Sequence, residues 1–257
     1  MQVAAELLFQ EDLITMHLTK ELYGKCLAPI FAKLVNTHIS LILFLLIFVP
    51  SSGFAIQPEN IHLELCPLGL PLGTPEGNDL VVRDIFALSS NPETKMADWV
   101  AYRLDPMTVS GSTDTRRRWK PDPLIASERT LEPQDYNGAN EAYGYQRGHQ
   151  APLAGFKGTG SWQKTNFLSN ITPQKADLNT GAWEDLESAE RTLAKTREVF
   201  VLTGTAYDDP MPELPQADEK HKVPSGYWKV IVVGYPKKIQ AAGFFFKQDT
   251  PKRRLQA

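Results

Sequence analysis

Val, Ile and aromatic residues concentrate in three stretches of the C-terminal half, Val199 to Thr203, Tyr227 to Tyr235 and Ile239 to Phe246. Such composition predicts strands. Lys237-Lys238 falls in the turn between the last two. Upstream, Trp99 to Tyr102 reads as a strand, and Val81 to Leu88 alternates more weakly. Tyr143 to His149 and Asn166 to Asn170 read as two further short strands. Between these groups the period changes. Trp183, Leu186, Ala189 and Leu193 recur at helical spacing, which predicts a helix with Asn179 in or near its first turn. Residues 56–80, rich in Pro, Gly and Leu, read as an irregular arm. Residues 105–141 carry turn residues and charges without a period. A loop of that length in a compact domain is functional or disordered. Strands, a central helix and more strands, without internal repeats, predict an α+β fold with a mainly antiparallel sheet.

The longest apolar run, Leu41 to Val49, is too short to span a bilayer, which takes ~20 apolar residues. It fits the apolar region of a secretory signal peptide. Small residues at positions 53 and 55 suit cleavage after Ala55. Residues 1–55 are therefore expected to be a signal peptide, and residues 56–257 the exported domain, periplasmic or extracellular. The segment before the run mixes Lys20, Lys25 and Lys33 with Glu6, Glu11, Asp12 and Glu21. Starting at Met16 would leave Glu21 as the only acid, so Met16 is an alternative start. Cys66 is then the sole cysteine of the exported part, and an odd cysteine there implies a free thiol or a missing partner.

The formal net charge of −3 argues mildly against a nucleic-acid partner. The objection is weak, because a catalyst that releases its product needs positive charge in a groove rather than over the whole surface. No Cys/His cluster has zinc-ligand spacing.

The most informative stretch is Gln146-Arg147-Gly148-His149-Gln150-Ala151-Pro152. Alone, a histidine beside an arginine is more often structural than catalytic. The next residues change that balance: Leu168-Ser169-Asn170-Ile171-Thr172-Pro173-Gln174-Lys175, then Leu178-Asn179-Thr180-Gly181-Ala182-Trp183, and Glu187. In this order the three segments resemble the DNA/RNA non-specific endonucleases, secreted nucleases of the Serratia type. The resemblance runs from about Trp99 to Pro251 and is densest from Tyr145 to Leu186.

That resemblance implies helices packed on a mainly antiparallel central sheet, with a ββα-metal active-site motif. It implies a Mg²⁺-dependent endonuclease, with Mn²⁺ as an alternative ion, that binds DNA and RNA through the phosphate backbone. The family's general base matches His149, and its single direct metal ligand matches Asn179. Asn170 matches an asparagine between them, and Glu187 a glutamate that holds the ion through water. Arg147 matches the arginine of the histidine motif. A second catalytic arginine falls in Thr115 to Lys120, where Arg117 fits better than Arg116 or Arg118.

These residue types suit phosphodiester cleavage. Imidazole, with a pKa near ~6.5, can accept a proton from water at neutral pH. An ion held by one protein oxygen keeps most of its waters and can engage phosphate. Arg117 and Arg147 can pair with the non-bridging oxygens as charge builds. None of these contacts reads a base edge, so low sequence preference follows. Each position also has a plainer reading. Asn170 and Asn179 can cap a helix or hold a turn, Glu187 can be a solvated helix residue, and Arg116 to Arg118 a surface cluster.

Two features depart from the family pattern. Gln146 stands where an Asp is usual. The chain also stops at Ala257, where relatives usually continue with a strand and a helical segment, so a truncated C-terminal end is expected. A catalytically impaired nucleic-acid-binding homologue is the alternative function. A phosphodiesterase of smaller substrates is a third reading.

Overall fold

The computed structural model describes residues 64–112 and 117–252, all within one compact unit. The expected signal peptide, His62, Arg116 and the last five residues lie outside the described residues. Six strands form one antiparallel sheet: β1 (Asp79–Val82), β2 (Phe86–Asn91), β3 (Met96–Leu104), β6 (Val199–Ala206), β7 (Gly226–Val233) and β8 (Gln240–Lys247). Their spatial order is β1-β2-β3-β6-β7-β8. The chain leaves this sheet after β3 and builds a separate antiparallel pair, β4 (Tyr145–His149) and β5 (Ile171–Lys175). Two helices follow, α2 (Ala176–Asn179) and α3 (Ala182–Ala194), before β6 returns to pair with β3. A short helix, α1 (Ala139–Tyr143), precedes β4. The expected α+β class with a mainly antiparallel sheet is what the chain adopts.

Alternation along the strands divides the large sheet into two apolar faces. Phe86, Leu88, Val100, Tyr102, Leu104, Val199, Val201 and Ile231 share one cluster with Leu186 and Ala194 of α3. Ala87, Trp99 and Ala101 point the other way, against Leu70 and the half-buried Leu65, Leu202 and Trp228. The N-terminal arm thus covers the face that the helices do not. Cys66 packs there with a free thiol that donates to Gly69 O at 2.7 Å, and burial pushes its pKa up. β8 forms the sheet edge with alternating exposure. Phe244 and Phe246 pack on the core while Phe245, 51% exposed, takes the opposite face, as alternation required.

Several elements differ from the sequence reading. The weak strand at Val81 to Leu88 is a hairpin, closed where Arg83 N donates to Phe86 O. Asn166 to Asn170 is not a strand; it spans the end of one 3-10 turn (Trp162–Asn166) and all of another (Leu168–Asn170). Side-chain amides supply the reason, since Asn170 Nδ2 donates to Thr165 O at 2.9 Å and competes with a ladder. The long 105–141 segment holds two 3-10 turns and the start of α1, and is tied down at Asp122, which accepts from Ser169 Oγ, Arg83 and Leu124 N. In α3 the buried stripe is Trp183, Leu186, Glu190 and Ala194, with Ala189 and Leu193 at its margin. Glu190, which the sequence reading did not place on this face, is buried there because Lys229 lies 2.8 Å from it and Tyr102 donates to it at 2.7 Å, all three side chains being buried.

Candidate active site

β4 and β5 run in register from Tyr145↔Lys175 to His149↔Ile171. Gly148 permits that pairing. A Cβ there would lie 2.5 Å from Gln174 Oε1 and 2.7 Å from Gln174 Cβ, closer than such atoms approach. His149 ends β4, and its backbone oxygen accepts from Trp183 Nε1 at 3.2 Å, which joins the strand to α3. Ala176 N donates to Gly144 O at 3.0 Å and fastens α2 to the start of β4. Strand, strand and helix therefore form one rigid unit, the arrangement expected of a ββα motif.

The His149 ring is nearly enclosed. Its Nε2 lies 3.2 Å from Asn166 Oδ1, and the Trp119 ring stands 5.3 Å from it, centre to centre. Burial lowers its pKa to about 4, with Arg117 pushing the same way and the Asn166 hydrogen bond opposing. Trp119 is held in place by the adjacent backbone. Lys120 bridges Phe167, its N–H donating to Asn166 O at 3.3 Å while its carbonyl accepts from Leu168 N at 2.9 Å.

Beside Trp119 opens a cleft of about 490 Å³. Arg117, Arg147, Gln146 and Asn179 line it, with Trp119 and Tyr136 as aromatic walls. The Arg147 guanidinium lies 5.2 Å from the Tyr136 ring centre and 5.7 Å from that of Trp119, within cation–π range. Its Nη2 donates to Pro133 O at 2.7 Å, while Nε is buried without a protein partner among the described residues. Burial lowers its pKa from the usual arginine value. A guanidinium that lines the cleft between two rings suits an anionic ligand. Arg117 and Arg147 outnumber the lining's single carboxylate, Glu141, so the cleft is locally positive in a chain of net charge −3.

The structure thus brings Arg117, Arg147 and Asn179 around one cleft; His149 is not in that lining but lies against Trp119, which is. Asn170 is not in the lining. It is fully buried, accepting from Ala151 N at 2.8 Å and donating to Ala151 O and Thr165 O. Every polar atom of its amide holds backbone on either side of the histidine loop. Glu187 also lies outside the lining, half-buried on α3 and 3.9 Å from Arg191. Burial raises its pKa to about 7, with Lys229 opposing and Glu190 adding. Sequence reasoning missed Asn166 and Trp119 as neighbours of His149. The available signal was a polar residue next to Phe167, and a tryptophan one residue beyond the Arg run.

Residues 70–256 match the family model described as DNA/RNA non-specific endonuclease. The chain belongs to that family. It is 45% identical to a nuclease of Serratia marcescens over 207 residues, covering 77% of this chain and 76% of that protein. It is 31% identical to human mitochondrial endonuclease G over 174 residues, covering 66% of this chain and 53% of that protein. A solved complex of EndoG with EndoGI aligns at a TM-score of 0.56 and 26% identity, over 67% of this chain and 77% of that one. As a member of this family the chain is an endonuclease acting on nucleic acid. No helix among the described residues is long and apolar enough to cross a membrane.

Proposed function

We propose that the protein is an exported, Mg²⁺-dependent endonuclease that hydrolyses phosphodiester bonds of DNA and RNA without base readout, with His149 as general base. The observation that carries this reading is a buried, uncharged imidazole beside a positively charged cleft that also holds Asn179. With a pKa of about 4, His149 is unprotonated at neutral pH and ready to accept a proton. Asn166 Oδ1 accepts from Nε2, so that nitrogen carries the hydrogen and Nδ1 is the basic atom. Nδ1 takes the proton from the attacking water. Arg117 and Arg147 bind the non-bridging phosphate oxygens, where negative charge grows. Asn170 acts as a positioning residue for the loop that follows the base.

The donor chemistry fits a hard divalent ion. Asn179 spends Nδ2 on Gln146 and keeps Oδ1 free of protein hydrogen bonds among the described residues. Asn179 would hold Mg²⁺, or Mn²⁺, through that oxygen, and Glu187 would act on it only through solvent. When bound, the ion supplies Lewis-acid stabilisation to the phosphate and the leaving oxygen. Contacts confined to phosphate carry no sequence information, which supports action on both nucleic acids. Export rests on the apolar run Leu41 to Val49.

Purified residues 56–257 are to be incubated with circular plasmid and with RNA, in Mg²⁺ and in EDTA. Cutting of both substrates in Mg²⁺ alone is expected, and opening of the circle shows endonucleolytic action. Retained binding without cutting would point instead to an impaired homologue.

A further inference from the structure

We infer that Gln146 is the positioning residue for the metal ligand, and that its neutral amide keeps the metal affinity of the free protein low. The inference rests on the reading of Asn179 as that ligand. Gln146 Oε1 accepts from Asn179 Nδ2 at 2.7 Å, and both side chains line the same cleft. A cation binds an amide through its oxygen, so this arrangement leaves Asn179 with the productive atom available. The reversed pair, with Gln146 Nε2 donating to Asn179 Oδ1, satisfies the same contact and occupies the ligand atom. An amide at position 146 allows both arrangements. A carboxylate can only accept and allows one.

Charge acts in the same direction. Among the described residues two guanidinium groups and one carboxylate line the cleft, and no carboxylate hydrogen-bonds to Asn179. A divalent ion therefore meets a single neutral oxygen in a cleft whose own charge repels it. Phosphate is the species that the free cleft attracts, and its negative charge makes up what position 146 lacks. The separation of the two amides is set by backbone rather than by their contact. Gln146 sits in register opposite Gln174, and the Ala176–Gly144 hydrogen bond anchors α2, which ends at Asn179. Substituting residue 146 should thus alter the ligand's orientation while leaving the fold in place.

The test is Mn²⁺ binding to the full chain without nucleic acid, read from the electron paramagnetic resonance signal of free Mn²⁺. Gln146→Glu, of equal length and acceptor-only, should bind about tenfold tighter, because ligand charge tunes affinity. Gln146→Met, of similar length but unable to accept, should bind about tenfold weaker, the usual effect of losing a ligand's hydrogen-bond partner. Melting temperatures in EDTA should match the parent for both, which separates orientation from folding. Parent-like Mn²⁺ binding by Gln146→Met, or no gain in Gln146→Glu, overturns the inference. Asn179→Ala, made in the parent and in the Gln146→Glu background, tells the two readings apart. Unchanged binding there overturns the ligand assignment itself. Loss there beside parent-like Gln146→Met overturns only the role of Gln146.

Discussion

In the metal-free protein His149 and Glu187 should pull stability in opposite directions as pH changes. Burial is the first cause for both. The His149 pKa drops from 6.5 to about 4, while that of Glu187 rises from 4.5 to about 7. As pH falls below 6.5, the unfolded chain protonates its histidine and the folded chain does not, so His149 makes stability fall with falling pH. Between 4.5 and 7 the folded chain keeps a proton on Glu187 that the unfolded chain has released, so Glu187 makes stability fall with rising pH. Linkage converts each displacement into roughly 2 kcal/mol between about pH 4.5 and 6.5, with opposite signs. The two nearly cancel in the parent, and substitution of either should expose the other. His149→Gln should gain roughly 2 kcal/mol at the acid end relative to the parent's own pH dependence, and Glu187→Gln should lose as much. Guanidinium unfolding in EDTA, followed by tryptophan fluorescence at three pH values across that window, measures both. Two variants that track the parent's pH dependence, or that shift it in the same direction, would refute the reasoning.

His149→Ala should lower plasmid nicking by about 10²–10⁴-fold with DNA binding kept in fluorescence anisotropy; a near-parent rate would remove it from the mechanism. Asn170→Ala strips Ala151 N–H, Ala151 O and Thr165 O of their partner, and should cost roughly 2–4 kcal/mol in thermal unfolding, whereas an unchanged melting temperature would rule out the positioning role. Lys229→Met leaves the Glu190 carboxylate buried and unpaired, a loss of about 3–5 kcal/mol that Glu190→Leu in the same chain should largely reverse; failure of that rescue would show that the pair is not the cause.

The strands that carry the large sheet were legible because each places alternate residues in one of two apolar faces, and Val, Ile and aromatic residues mark both. The candidate site was legible where chemistry demands a residue type. Arg147, His149 and Asn179 stand in short segments of the sequence, and folding brings the first and last into one cleft, with the histidine against its Trp119. The misread stretch, Asn166 to Asn170, shows the limit. Its apolar members look like a strand, yet the amide of Asn170 satisfies backbone groups that a ladder would otherwise use. Local spacing does not reveal such a partner. The same holds for Asn166 and Trp119, which meet His149 only because Lys120 is zipped to Phe167, 47 positions away along the chain. Glu190 was invisible for a related reason. A charged residue in an apolar stripe reads as solvated until Lys229 and Tyr102 arrive from the sheet.

Trp183 shows how the sheet reaches the chemistry. Its ring lies 4.3 Å from Lys229 Nζ and packs edge-on to Tyr227 and Phe246, so it is fixed from β7 and β8. Its Nε1 then donates to the backbone oxygen of His149. His149, the proposed base, is therefore held by Trp183 at its backbone, by Asn166 through Nε2, and by the Trp119 ring beside it. A general base must lie within hydrogen-bond reach of its proton to be effective, and an imidazole gripped in this way pays little to hold that geometry. The same burial that lowers its pKa also fixes its direction. Arg117 and Arg147 line the neighbouring cleft, where the proposed mechanism places the phosphate. Contacts of that kind suit an enzyme whose substrates share a phosphate and little else.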